Sequence, residues 1–168
     1  LKYILAILNS QLIAYYFVKN TAKSVRKMFP KIILNDLRKF PIKDISEEEQ
    51  QPFIAKVNLI LLMNEDLQEV SSKFQKSLFR KFDGLDKLSK KLEKWQELSY
   101  SDFIKELKKK KITLSLSEEA DWEDYFEENK QKAQNLQTQI NQTDKEIDAM
   151  VYELYGLTED EIQIVENS

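Results

Sequence analysis

The sequence predicts a mainly α-helical protein built on a long antiparallel coiled-coil-like helical hairpin, with additional short helices and one small β piece near residues 29–34. Three observations predict it. Only two glycines and three prolines stand among 168 residues, a third of which are charged, a composition that favours helix over sheet. Two long stretches repeat apolar residues at alternating intervals of four and three, the signature of a helix with one buried seam. Ser or Thr followed three residues later by Glu precedes both stretches, as in a helix-starting capping box.

In chain order, residues 2–18 are predicted as a helix apolar nearly all round, buried on most faces. Asn9, Ser10 and Gln11 interrupt its apolar run. The run is too short and too polar to span a bilayer and lacks a signal-peptide cleavage pattern, so no membrane partner is expected and the cytoplasm is the default compartment. Residues 19–28 are basic and read as a loop or a frayed helical end. Lys31 to Leu34 carry a β-branched pair suited to a short strand, punctuated by Pro30 and Pro41. Asn35 and Asp36 favour a turn or helix cap.

Ser46 with Glu49 starts the first long helix, about 46–80, with Pro52 tolerated in its first turn. Its seam reads Phe53, Val57, Ile60, Asn64, Leu67, Ser71, Phe74, Leu78. Gly84 ends the region, and a shorter helix is expected around 86–96. Ser101 or Asp102 then caps a helix whose lysines complement its negative C-terminal end. Ser115 with Glu118 starts the second long helix, about 117–154, with the seam Phe126, Asn129, Ala133, Leu136, Ile140, Thr143, Ile147, Met150, Leu154. Gly156 offers the left-handed position that stops it. Thr158 with Glu161 caps a short final helix. Ordinary bundle packing is the alternative to a coiled coil for both seams. Asn64, Asn129 and Thr143 at seam positions set register at a cost in stability.

There is no cysteine and no histidine. That excludes disulfides, thiolate metal sites, Ser–His and Cys–His catalysis, and most zinc sites. The length fits one domain, or one domain plus part of another. The chain starts at Leu1 and is expected to be cut from something longer. Charge is segregated. Residues 19–43 hold eight Lys or Arg against one acid, and 73–111 hold thirteen against six. Residues 44–70 hold seven acids against one lysine, and 112–168 hold fifteen against three. Positive blocks in a chain of net charge −3 suggest a surface that faces a polyanion.

Glu106-x-Lys108 and Glu128-x-Lys130 match the bare acid-x-lysine pattern of metal-dependent nucleases, a spacing that arises readily by chance on solvated helices. The basic stretch carries more. Lys19, Lys23, Arg26, Lys27 and Lys31 precede or enter the strand-like segment, and Arg38 and Lys39 follow it. Such side chains suit phosphate contacts, which supply affinity but little sequence information. Arg26, Asn20 and Gln11 are the nearby residues able to read a base edge. A solvated loop that keeps the surface soluble is the plainer reading of the same residues.

Residues 151–166, VYELYGLTEDEIQIVE, resemble the extreme C-terminus of type IIG restriction–modification enzymes, which fuse an endonuclease, a DNA adenine methyltransferase and a specificity region. Trp122 to Ile140 point the same way. Near the start, Ile7-Leu8-Asn9-Ser10, then Phe29-Pro30-Lys31-Ile32, Phe40-Pro41-Ile42 and Glu47 to Gln50 are similar, in order, to the closing half of the TaqI-like C-terminal specificity region. A similar order occurs in type I specificity subunits, where recognition domains alternate with helical spacers.

The resemblance implies that residues 1–45 are the distal end of a target recognition domain and that 46–168 form a helical domain. It implies double-stranded DNA as partner, with Lys19, Lys23, Arg26, Lys27, Lys31, Arg38 and Lys39 as the DNA-binding residues, alongside upstream methyltransferase and nuclease domains of the same chain. The parent enzyme would use S-adenosylmethionine and magnesium. The glycine-rich loop and Asn-Pro-Pro-Tyr motif of such a methyltransferase are missing here, so the fragment is expected to be non-catalytic and to bind no cofactor or metal. The rival reading is a coiled-coil structural or protein-interaction module, including a type I-like spacer.

Overall fold

The computed structural model describes residues 1–20, 34–82 and 84–167, with backbone alone at 35 and 36. The described chain is mainly α-helical, and no strand occurs among the described residues. The helices are α1 (Lys2–Leu8), α2 (Gln11–Asn20), α3 (Leu34–Leu37), α4 (Glu47–Lys81), α5 (Lys90–Glu93), α6 (Tyr100–Lys109), α7 (Leu116–Tyr155) and α8 (Glu159–Glu166), with a 3-10 turn at Trp95–Glu97. Of the β piece expected near 29–34, residues 29–33 lie outside the described residues, and Leu34 opens α3.

Local chemistry starts the long helices. At α4 the Ser46 amide donates to Glu49 at 2.9 Å while the Glu49 amide donates back to the Ser46 hydroxyl at 3.3 Å. Ser115 and Glu118 repeat the exchange before α7 at 3.1 and 3.4 Å, and Thr158 and Glu161 repeat it before α8 at 2.8 and 3.4 Å. Each box satisfies amides that the first turn leaves without helical partners. Gly156 takes φ +69°, and the Leu157 amide bonds back to the Tyr152 carbonyl at 3.0 Å, closing α7 in the left-handed manner that glycine permits.

Four expectations need correction. The single helix predicted over 2–18 is two helices, and their exposed Ile4, Leu5 and Val18 show that burial is one-sided. The break has a polar cause: the buried Ser10 hydroxyl donates to the Ile7 carbonyl at 2.7 Å and accepts from the Ile13 amide at 3.4 Å, capping α2 from within the chain. The helix expected around 86–96 is α5 plus the 3-10 turn, capped by Ser89. The cap of α6 is Ser99, with Asp102 inside the first turn. Pro52 sits in the second turn of α4 rather than the first. Having no N–H, it cannot donate to the carbonyl of Glu48, an exposed residue one turn back.

Two compact units are present. Residues 62–140 form one of them, unit 2. Its core gathers Phe74, Leu78, Leu92, Trp95, Phe103, Leu107, Trp122 and Phe126. Here α4 and α7 run antiparallel: Phe74 meets Phe126 at 5.9 Å, Ser77 meets Tyr125 at 3.1 Å and Lys81 meets Glu118 at 3.0 Å, one number rising as the other falls. Met63 is buried while the neighbouring seam residue Asn64 is exposed.

Residues 1–61 and 141–168 form the other, unit 1. Its core joins Tyr3, Ile7 and Ile13 to Phe53 and Val57 of α4 and to Ile147 and Val151 of α7. Asp148 of α7 reaches the start of α2, accepting from the Gln11 amide at 2.8 Å. A carboxylate at a helix N-terminus is favoured by the exposed amides there. Burial nevertheless holds the Asp148 carboxyl above the usual carboxylate range, and Asp144 and Glu166 push it further in the same direction. The adjacent Tyr152 hydroxyl is buried with no hydrogen-bond partner among the described residues.

A carboxyl whose folded pKa is raised binds its proton in the folded state first, so its contribution to stability rises as pH falls from neutral toward the unfolded value of roughly 3.9. Asp148→Asn keeps an oxygen for the Gln11 amide and removes the charge. The variant is expected to be more stable than the parent at neutral pH, with the difference shrinking toward pH 4. Urea melts across that range check it, and a difference that does not change with pH contradicts it.

Candidate nucleic-acid interface

The basic residues singled out in the sequence divide into two groups. Lys23, Arg26, Lys27 and Lys31 lie outside the described residues. Lys19, Arg38 and Lys39 are described and all three are exposed. Lys19 stands in the last turn of α2, where a cation suits the negative end of the helix, and its ammonium lies 5.5 Å from the centre of the Tyr15 ring.

Aromatic packing brings Lys39 to that helix. Phe40 sets its ring against Tyr16 and Phe17 of α2, edge-to-face at 6.1 and 6.2 Å. The Tyr16 hydroxyl also donates to the Lys39 carbonyl at 3.4 Å. Arg38 and Lys39 are thereby held beside the C-terminal half of α2, the half that carries Lys19. Lys19, Arg38 and Lys39 are thus exposed residues of segments that this ring packing joins.

The strap that follows is fixed at both edges. The Tyr3 hydroxyl donates to the Lys43 carbonyl at 2.6 Å. The Tyr155 hydroxyl accepts from the Lys43 amide at 3.1 Å and donates to the Pro41 carbonyl, while the Lys43 ammonium donates to the Leu154 carbonyl at 2.7 Å. Phe40-Pro41-Ile42 therefore acts as a stop that ties the end of the basic stretch to α1 and α7. Of the residues considered for base reading, the Asn20 amide donates to the Tyr16 carbonyl at 2.9 Å, Gln11 is exposed, and Arg26 lies outside the described residues.

The acid-x-lysine pairs have structural partners. The Glu106 carboxylate accepts from Ser89 at 3.0 Å and from Lys109 at 2.6 Å. These bonds, that to Lys109 foremost, hold it below the usual carboxylate range. Glu128 pairs with Lys132 at 2.6 Å, and Lys130 lies over the Phe126 ring at 5.6 Å. Among the described residues no three His, Cys, Asp or Glu side chains come together in a way that would hold a metal ion. No helix among them is long and apolar enough to cross a membrane.

Comparison with known families decides what kind of chain this is. Residues 46–151 match a domain of unknown function, DUF8810, over more than half of the sequence. The chain belongs to the DUF8810 family. Residues 1–42 of this DUF8810 chain match the TaqI-like C-terminal specificity domain. That match supports a restriction–modification specificity region over the first part of the chain, which includes Lys19 to Lys39. No curated protein and no solved structure matches the chain.

Sequence reasoning missed a second set of cations. Lys91, Lys105, Lys108 and Lys109 line one open cleft with Asp102 and Glu106, about 470 Å³ in volume, within unit 2. The positive excess of residues 73–111 was the available signal. Which of its lysines share a face is set by the packing of α5 on α6, which the charge count does not contain.

Proposed function

We propose that this chain is the C-terminal specificity and helical part of a type IIG restriction–modification enzyme, where it helps position the enzyme on double-stranded DNA and is not itself catalytic. The observation that carries the reading is the TaqI-like match over residues 1–42. The exposed Lys19, Arg38 and Lys39 on their aromatic frame support it. In this reading residues 1–45 close a target recognition domain and 46–168 brace it. Lysine and arginine side chains of 19–39 hold the phosphate backbone, and base reading falls to other parts of the parent enzyme.

S-adenosylmethionine and magnesium belong to upstream methyltransferase and nuclease domains of that enzyme, which would act in the cytoplasm. The present chain contributes positioning alone. Its restricted chemistry supports this, since it has no histidine or cysteine and no Asn-Pro-Pro-Tyr motif.

Duplex binding with random-sequence DNA at two salt concentrations tests the proposal. Micromolar binding that weakens steeply with salt is expected, because each phosphate contact releases counterions. Lys23→Glu, Arg26→Glu and Lys27→Glu together are expected to abolish that binding while leaving the helical circular dichroism unchanged. Unaltered affinity in the triple variant rules out 19–31 as the DNA surface. Salt-insensitive self-association without DNA binding would favour a coiled-coil interaction module instead.

A further inference from the structure

The lysine cleft of unit 2 is built, not incidental to composition. Leu92 of α5 and Phe103 and Leu107 of α6 are buried in one core cluster, and Ser89 at the head of α5 donates to Glu106 of α6. That packing sets Lys91 across from Lys105, Lys108 and Lys109. The two acids of the cleft are already used: Asp102 holds Lys105 at 2.9 Å and Glu106 holds Lys109 at 2.6 Å. Lys91 and Lys108 have no ion pair with a described residue, nor do Lys110 and Lys111 that continue the run. Four cations of this region are therefore left without an ion pair among the described residues.

Helix-end electrostatics accounts for part of this. Lysines in the last turn of α6 suit its negative end. It does not account for Lys111, which adopts φ +63°, the left-handed region that side chains other than glycine enter only at a cost. The Ile112 amide bonds to the Leu107 carbonyl at 3.1 Å and the Lys111 amide to that of Lys108 at 2.9 Å, the same closure that ends α7. There the left-handed position is Gly156, and the chain's other glycine, Gly84, is also left-handed at φ +84°. A lysine kept where glycine relieves strain points to use of its side chain.

The geometry points to the α5–α6 lysine face as a second, sequence-independent contact for the phosphate backbone of double-stranded DNA. The inference rests on the DNA-positioning reading above for the identity of the polyanion. The residue types suit phosphate rather than base. Beyond Arg80 the chain has no arginine, so the forked donor that reads guanine is absent from this face. Lysine ammonium groups act as point charges that grip phosphate without distinguishing sequence.

The test is the salt dependence of duplex binding by the whole chain, followed by fluorescence anisotropy from roughly 50 to 200 mM salt. Lys91→Gln, Lys108→Gln, Lys110→Gln and Lys111→Gly are introduced together. None of these lysines is ion-paired to a described acid of the fold, and circular dichroism checks that the helices remain. The slope of log affinity against log salt is expected to flatten by about 3 to 4, near 0.9 for each phosphate no longer neutralised. Lys111→Gly alone is expected to raise the unfolding midpoint while weakening DNA binding, a combination that loss of structure cannot produce. An unchanged slope in the quadruple variant overturns the inference. If the Lys23, Arg26, Lys27 variant flattens the slope in that case, the proposed function stands without this second face. Absence of any duplex binding by the unmodified chain overturns both.

Discussion

Phe74→Ala is expected to lower the stability of residues 62–140 by about 3–5 kcal/mol, the range for removing a fully enclosed aromatic ring. Phe74 has no solvent exposure and is the hub of the aromatic core. It stacks on Trp95 at 3.8 Å and on Tyr125 at 5.7 Å, and meets Phe103, Trp122 and Phe126 at 5.9 to 6.3 Å. Truncation leaves five rings facing a void that their fixed backbones on α6, α7 and the 3-10 turn cannot close. Both tryptophans of the chain, Trp95 and Trp122, lie in this cluster, so intrinsic tryptophan fluorescence reports on its unfolding. Phe74→Leu, which refills part of the space, is expected to lose less. A denaturant midpoint that barely moves in Phe74→Ala would show that the ring cluster does not hold this unit together.

Val151→Asp is expected to cost on the order of 4 kcal/mol in the other unit, because it places an unpaired carboxylate where no water reaches. Val151 is fully buried among the side chains of Tyr3, Ile7, Phe53 and Val57. Val151→Ala separates volume from charge and is expected to cost roughly 2 kcal/mol for the methyl groups and the space they leave. The pH dependence tells the two apart. A carboxyl buried there has its folded pKa raised, so the aspartate variant regains stability as pH falls, whereas the alanine variant keeps a constant deficit. Equal deficits in the two variants at all pH values would mean that the site is open to solvent.

The parts of the fold legible in the sequence are those written in local chemistry. Ser46 with Glu49, Ser115 with Glu118 and Thr158 with Glu161 each act within four residues, and all three boxes form. The long apolar repeats set helices within a residue or two of the expected bounds. What escaped depends on distant partners. The break after α1 is completed by Asp148, 137 positions from Gln11. Ser99, Ser101 and Asp102 all suit an N-cap. Ser99 is the residue whose hydroxyl accepts from the Asp102 amide, at 3.1 Å, and Tyr100 behind it reaches the distant Glu119 carbonyl at 2.6 Å.

The same division holds for the candidate interface. Lys19, Arg38 and Lys39 were legible as cations, but the joining of their two segments depends on Phe40 meeting Tyr16 and Phe17. Block charge marked residues 73–111 as positive without showing that Lys91 faces the lysines of α6. Periodicity also cannot tell Met63 from Asn64 as the inward residue, because a seam averaging 3.5 residues drifts against a helix of 3.6.

The contacts that tie the strap after Arg38 to α2 and α7 run through Tyr16, Phe17, Phe40, Lys43 and Tyr155. Phe40 and Tyr155 each serve two partners in this clasp, so a single substitution at either loosens two contacts at once. The border of the basic stretch is thus anchored by a few aromatic residues rather than by its own cations, so Lys19, Arg38 and Lys39 can each be replaced without removing one of these rings.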